Sequence, residues 1–318
     1  MEKYNLTIAQ YQHKREQFEA YHRSGGSEIR YVGFECLNGV WQFAQDGVTD
    51  ITGRSGSGKT EFALEILFYQ AEAFGKRFML YVPDIGGYNE IRRKLVVKYY
   101  KRPFRVYYNA IDEATRGELT KAEMFVGYHF LILQKIDVKE RIKPEDVWNY
   151  CAEYRDDYGV VDGVLIDSWK NMSHIYQSRE DIYIDYILCY RNELAESSQK
   201  HFITIAHPNK MPKDENGKRK IPDAEDIKGG GWFANGKTIV TIDRPEKGTS
   251  MVDLHFTKVK PDTLGKADTV FGLEFYWQHS RYRETIEGHI CYAGEGKKLK
   301  EEGKLIGIAG EDFREVKF

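Results

Sequence analysis

Eight consecutive residues, Gly53-Arg54-Ser55-Gly56-Ser57-Gly58-Lys59-Thr60, carry the spacing GxxxxGK[ST], and no other stretch limits the possible folds so tightly. The pattern needs a strand that runs into a loop and a helix that leaves it. Both flanks comply: Val48-Thr49-Asp50-Ile51-Thr52 is strand-like, and Glu61-Phe62-Ala63-Leu64-Glu65-Ile66-Leu67 is helical. Glycines let successive backbone N–H groups curl round an anionic oxygen, and the helix N-terminus adds partial positive charge. Lys59 is then expected to reach the β- and γ-phosphates of ATP, and Thr60 to ligate Mg2+. A Gly-rich turn with no ligand is the bland alternative.

From about residue 31 the pattern alternates. Strand-like runs fall at 47–52, 77–82, 130–136, 161–167 and 202–206, with helical stretches at 61–74, 88–99, 121–129, 144–158 and 179–200. Such alternation predicts an α/β fold with a mostly parallel central sheet and helices on both faces. After residue 237 the helices are expected to stop. Runs 237–243, 250–258 and 273–277 read as strands joined by turns, an antiparallel C-terminal edge to the sheet. Residues 1–30 read as an N-terminal helical arm or linker, with Ile8, Tyr11, Phe18 and Tyr21 near helical spacing before Ser24-Gly25-Gly26-Ser27 breaks it. The arm is either solvated or docked on a neighbouring subunit. Residues 31–284 form the expected core, and 285–318 a C-terminal tail rich in Gly, Lys and Glu with room for a short hairpin.

Composition narrows the class. Hydrophobic residues make up 41% of the 318 and charged residues 30%, as in a soluble globular protein. The longest apolar runs are too short to cross a bilayer, and the first residues lack the apolar core of a secretory signal. Cys36, Cys151, Cys189 and Cys291 lie far apart with no CxxC pattern, which suggests free buried thiols in a reducing, cytoplasmic setting. A net charge of −2 means that any nucleic-acid contact must come from a local patch.

Two further signals stand downstream. Val161-Asp162-Gly163-Val164-Leu165-Ile166-Asp167 is an apolar strand whose final Asp167 would hold magnesium at the carboxyl edge of the sheet. His207 closes the strand-like run 201–206 and is followed by Pro208. If that strand lies beside the one ending in Asp167, the imidazole could face the γ-phosphate and report its hydrolysis. The plainer reading is a strand-end histidine satisfied by backbone.

These residues, in this order, resemble the Twinkle-like and DnaB-like hexameric replicative helicases, which are built on a RecA-type core. The resemblance runs from about Gly33 to Glu284 and is strongest to phage and bacterial proteins whose primase half is a Toprim domain. Besides the cradle it rests on Val164-Leu165-Ile166-Asp167-Ser168-Trp169-Lys170-Asn171, Ala206-His207-Pro208-Asn209-Lys210-Met211, Asp226-Ile227-Lys228-Gly229-Gly230-Gly231-Trp232-Phe233-Ala234-Asn235, and Lys258-Val259-Lys260 followed by Gly265. It implies a RecA-like P-loop ATPase that unwinds or translocates DNA as a homo-oligomeric, hexameric ring, served by a separate primase and encoded by a phage in a bacterial host. It also implies roles. Asp84, in Pro83-Asp84, takes the place of the glutamate that polarises the attacking water, one methylene shorter. Lys258 and Lys260 take the place of a Lys-x-Arg pair that reaches into the neighbouring subunit's site, so a lysine replaces the arginine finger. Both departures bear on turnover and leave nucleotide binding untouched.

The same resemblance implies that loops after the His207 strand hold single-stranded DNA. Lys210, Lys228 and the run Gly229-Gly230-Gly231 are the expected contacts, because unobstructed backbone N–H groups can approach phosphates closely. Neighbouring acids (Asp214, Glu215, Asp223, Glu225, Asp226) dilute the charge, and a solvated loop is the alternative. A recombinase or filament-forming ATPase of the RecA type is the second function to weigh, since one head-to-tail interface can close a ring or extend a helix. A nucleotide-regulated DNA-binding scaffold with weak turnover is the third.

Overall fold

The computed structural model describes residues 28–85, 87–102, 113–135, 142–174, 179–211, 215, 220–245 and 248–304, with backbone alone for Asp84. Residues 1–27 of the arm, and the chain beyond 304, lie outside the described residues.

A small ladder of β1 (Ile29–Arg30) and β2 (Phe43–Ala44) leads into β3 (Val48–Thr52) and α1 (Lys59–Phe74). Next come β4 (Phe78–Tyr81), α2 (Tyr88–Tyr100), α3 (Glu113–His129), β5 (Phe130–Ile132) and α4 (Pro144–Glu153). A tiny hairpin, β6 (Arg155–Asp156) and β7 (Gly159–Val160), precedes β8 (Gly163–Asp167), α5 (Glu180–Ser198) and β9 (His201–Ile205). The chain ends with α6 (Trp232–Asn235), β10 (Thr238–Asp243), β11 (Met251–Lys258), β12 (Thr269–Tyr276), β13 (Arg281–Ile286), β14 (His289–Tyr292) and α7 (Glu295–Glu301).

Ten strands form one sheet in the order β14-β13-β12-β11-β10-β3-β9-β8-β4-β5. From β5 to β10 every pair is parallel, and from β10 to β14 every pair is antiparallel. The mostly parallel α/β sheet with an antiparallel edge is therefore as expected. Strands β3, β8 and β9 are buried at every residue, as a sheet covered on both faces requires. Period-two alternation divides the core. Phe78, Leu80 and Leu165 face the layer of α1 to α3, with Phe62, Phe68, Leu95 and Ala122. Met79, Tyr81, Val164 and Ile166 face the layer of α4 to α6, with Trp148, Ile184, Leu188 and Trp232.

Local chemistry sets the helix ends. Gly75, at φ 67°, closes α1 by donating its N–H to Ala71 and Gln70 carbonyls. Pro144 opens α4, with Glu145 and Asp146 favourably placed in the first turn.

Several boundaries differ from expectation. The first of the three late strands, β10, lies inside the parallel set beside β3, because the chain crosses over through residues 206–237 before returning. Helices do not stop at 237: α7 follows β14, its Glu295 paired with Lys101 and its Lys300 with Glu35. The boundary drawn at 284 falls within β13, and the sheet runs on to Tyr292. The helix read over 144–158 ends at Glu153, where the β6–β7 hairpin begins. Of the four thiols, all free, Cys151 and Cys291 are buried, Cys36 is half-buried and Cys189 is exposed. No helix among the described residues is long and apolar enough to cross a membrane.

Candidate functional site

The β3–α1 connection folds as the glycines require. Gly53, Gly56 and Gly58 take φ values of 137°, 77° and 104°, a region that L side chains rarely enter. A Cβ on Gly53 would sit 2.2 Å from the Ile242 carbonyl oxygen, and one on Gly58 would sit 2.5 Å from the Tyr282 hydroxyl. Arg54 reaches across to Asp243, at the end of β10, with 2.8 Å between Nη2 and Oδ1. Ser57 Oγ is buried with no partner among the described residues. A buried hydroxyl of that kind, in a loop whose N–H groups are set by glycines, fits an anionic oxygen.

Lys59, 6% exposed, donates to the carbonyls of Gly53 at 2.8 Å and Arg54 at 2.7 Å. Burial holds its pKa down to about 8; Asp167 opposes that effect and Lys170 reinforces it. A triphosphate would offer this ammonium the countercharge that two carbonyls only approximate. Thr60 Oγ1 donates to Asp167 Oδ2 at the end of β8, so the two expected magnesium positions are side by side. That hydroxyl–carboxylate pair is a donor set suited to a hard cation that keeps water and phosphate ligands.

The neighbouring strand delivers the third signal. Asp167 pairs with Ile205 in the β8–β9 register, and His207 follows two residues on, at the same carboxyl edge. Asp84 lies in the short 3-10 turn Pro83–Ile85 after β4, the strand on the other side of β8, and its side chain lies outside what is described. Lys59, Thr60, Asp167 and His207 thus come from adjacent strands to one edge of the sheet.

Lys258 and Lys260 do not join them. Lys258 lies level with Ile239, near the start of β10, and the chain then runs away from the Gly53 edge. There Lys258 donates to the Phe233 and Ala234 carbonyls at 2.5 and 3.1 Å, and Lys260 pairs with Asp262 at 3.2 Å. Both line a cavity of about 670 Å3 with Lys237, Asn192 and Asn235. Any action of these lysines on a nucleotide needs a second copy of the chain.

The loop residues assemble around a different contact. Segment 207–209 is laced to segment 226–228: Asn209 N–H donates to Asp226 at 2.8 Å, Lys228 N–H donates to His207 at 3.3 Å, and Pro208 bridges Ile227. Lys210 and Lys228 are exposed. Gly229, Gly230 and Gly231 all have positive φ, but added Cβ atoms at 229 and 231 would strike Ile184 and Asp185 of α5, whereas at 230 a Cβ meets nothing. Two of the three glycines therefore serve the loop's own packing, and Gly230 alone is open.

Sequence reading missed the far side of the cradle. Tyr282, wholly buried on β13, donates its hydroxyl to the Gly58 carbonyl at 3.2 Å. Its neighbour Arg281 bonds Glu65 Oε1 at 2.5 Å, and Lys98 of α2 bonds Glu65 Oε2 at 3.0 Å, all three side chains fully buried. The available signal was Glu65 itself, one carboxylate inside the apolar run 62–68.

A phosphate-binding strand–loop–helix on a parallel sheet with an antiparallel edge defines the RecA-like class of P-loop ATPase folds. No family model matches the sequence, and no curated protein matches it either. Solved structures are similar at the level of fold. The ATPase domain of a DnaB-like replicative helicase aligns with 87% of this chain and 99% of that chain, at TM-score 0.67 and 15% identity. A DnaB-like replicative helicase solved for its interactions with primase aligns with 87% of this chain and 67% of that chain, at TM-score 0.64 and 16% identity.

Proposed function

We propose that the chain is an ATP-driven motor on single-stranded DNA, a helicase or translocase of replication that works as a homo-oligomeric ring. The observation that carries this reading is the lacing of His207 to Lys228 through paired backbone. One end of that unit stands beside Asp167 at the phosphate edge, and the other presents exposed Lys228 and Gly230 to solvent. A shift of His207 between nucleotide states would move the loop with it. In the proposed ring, ATP and Mg2+ are held by residues 53–60 and Asp167. Asp84 orients water, and Lys258 and Lys260 complete the site of the adjacent subunit. Their distance from their own cradle supports a head-to-tail arrangement. A separate primase is the expected partner in such a role.

The test is steady-state ATP hydrolysis with and without single-stranded DNA, with Lys59→Ala as the blank. Turnover stimulated by DNA and lost in the variant is the expected result. ATP binding with no turnover above the blank would move the reading to a nucleotide-regulated DNA-binding scaffold.

The DNA contact has its own expected outcome. Lys228→Ala with Gly230→Asp should weaken single-stranded DNA binding uniformly across sequences, by about tenfold at moderate salt, and flatten its salt dependence. The fold should tolerate both changes, since Lys228 is exposed and a Cβ at 230 meets nothing. Unchanged affinity in fluorescence anisotropy would remove these residues from the DNA path.

A further inference from the structure

We infer that Tyr282 is a positioning residue for the phosphate cradle, through which the antiparallel edge of the sheet sets the geometry of a loop 224 residues earlier. The inference rests on the nucleotide-binding part of the proposed function and on none of its DNA-dependent parts.

Gly58 is the last loop residue before α1, held at φ 104°. Its carbonyl accepts the first helical bond from Phe62 N–H at 2.9 Å and a second from the Tyr282 hydroxyl at 3.2 Å. Two donors on one carbonyl fix the orientation of the 58–59 peptide plane, and the N–H of that plane belongs to Lys59. The hydroxyl therefore acts one peptide away from the groups that face phosphate.

Tyr282 is itself rigid. It is 0% exposed, its ring meets Phe62 edge-on with 5.8 Å between centroids, and Phe275 lies 5.0 Å away on the other strand of the β12–β13 pair. Its backbone N–H points to Glu65 Oε2 at 3.4 Å, while Arg281 clasps Glu65 Oε1 and the Lys98 carbonyl. Glu65 lies on α1, so one strand holds that helix by a buried ion pair and its N-terminal loop by a phenol. Close approach also explains Gly58 beyond its φ, because the added Cβ would lie 2.5 Å from the phenolic oxygen. Positive φ alone would leave room for asparagine; the phenol does not.

Tyr282→Phe keeps the ring and deletes only the hydroxyl. Affinities for ADP and for inorganic pyrophosphate are measured by calorimetry on the full chain with Mg2+. Both are expected to weaken by the same factor, about three- to tenfold, as for loss of one hydrogen bond that orders a site. Amide hydrogen exchange should quicken in residues 57–62 and stay unchanged in α3 and β5. A merely structural tyrosine would lower the melting temperature and leave both affinities within about 1.5-fold; that result overturns the inference, as would failure of the Phe variant to fold. Wild-type protein that binds neither ligand would instead refute the nucleotide reading itself.

Discussion

Replacing Lys59 by methionine is expected to abolish nucleotide binding and, at the same time, to stabilise the unliganded protein. The two effects have one cause. The ammonium is buried against two carbonyls of its own loop, and burial alone brings its pKa from 10.5 to about 8. That displacement corresponds to about 3 kcal/mol held against the charged form until phosphate arrives. Methionine keeps the length and apolar stem while removing the desolvated charge. Two carbonyls lose a donor in exchange, so a net gain of about 1–3 kcal/mol is expected, or several degrees in Tm for a chain of this size. Nucleotide-dependent turnover should fall by at least about a hundredfold, the scale for losing one preorganised donor to a developing charge.

The pH dependence has a definite sign. Because the folded-state pKa lies below the unfolded one, the unfolded chain holds the extra proton between about pH 8 and 10.5. The deficit of wild type relative to Lys59→Met is therefore full below pH 8 and fades as pH rises toward 10.5. Melting curves of both proteins at pH 7 and pH 10 check it. A less stable methionine variant at pH 7, or a gap that does not narrow, would contradict the account.

Arg191→Ala should be among the most destabilising single changes in the chain, by about 3–5 kcal/mol. Arg191 of α5 forks onto Asp50 of β3, with Nη1–Oδ1 at 2.5 Å and Nη2–Oδ2 at 2.9 Å, and Nη1 also reaches Thr204 Oγ1 at 3.1 Å. Both charged side chains are fully buried. Burial already pushes the Asp50 carboxyl up despite its partner, so removal of the guanidinium strands an acid in the centre of the sheet. The guanidinium also lies 5.9 Å from the ring centroids of both Trp148 and Trp232, which makes indole fluorescence a direct reporter in urea unfolding. The double change Asp50→Leu with Arg191→Met should recover most of the loss, since the pair's charges are costly to desolvate. A loss under about 1 kcal/mol in the single variant would show that the pair is better solvated than its burial indicates.

The cradle was legible because its instructions are contiguous. Three glycines encode three left-handed residues, and Lys59 and Thr60 follow at fixed offsets on the first turn of α1. The strands before Asp167 and His207 were legible for a similar reason: short β-branched runs of uniform burial can only be covered strands. The Gly229-Gly230-Gly231 run was legible as special backbone but not as to purpose. Only packing against Ile184 and Asp185 shows that two of the three glycines answer to α5.

The late strands show where local reading fails. Strand β10 looks like its antiparallel successors in composition, and its parallel pairing with β3 depends on a crossover with no local signature. Helix α7 and strand β14 sit in a stretch of Gly, Lys and Glu whose apolar contacts are few, and they are held by ion pairs from residues far earlier in the chain.

By itself, then, the sequence determined the residues whose function depends on spacing along the backbone: the phosphate loop, the magnesium carboxylate, and the α/β alternation that carries them. Tertiary structure alone decided which distant groups meet that loop. Asp243 on Arg54, Tyr282 on Gly58, and Lys98 and Arg281 on Glu65 are long-range pairings. The physical reason is that a glycine's φ or a helix's periodicity is a property of neighbours in the chain. A buried charge or phenol, by contrast, finds its partner only when packing removes water from both.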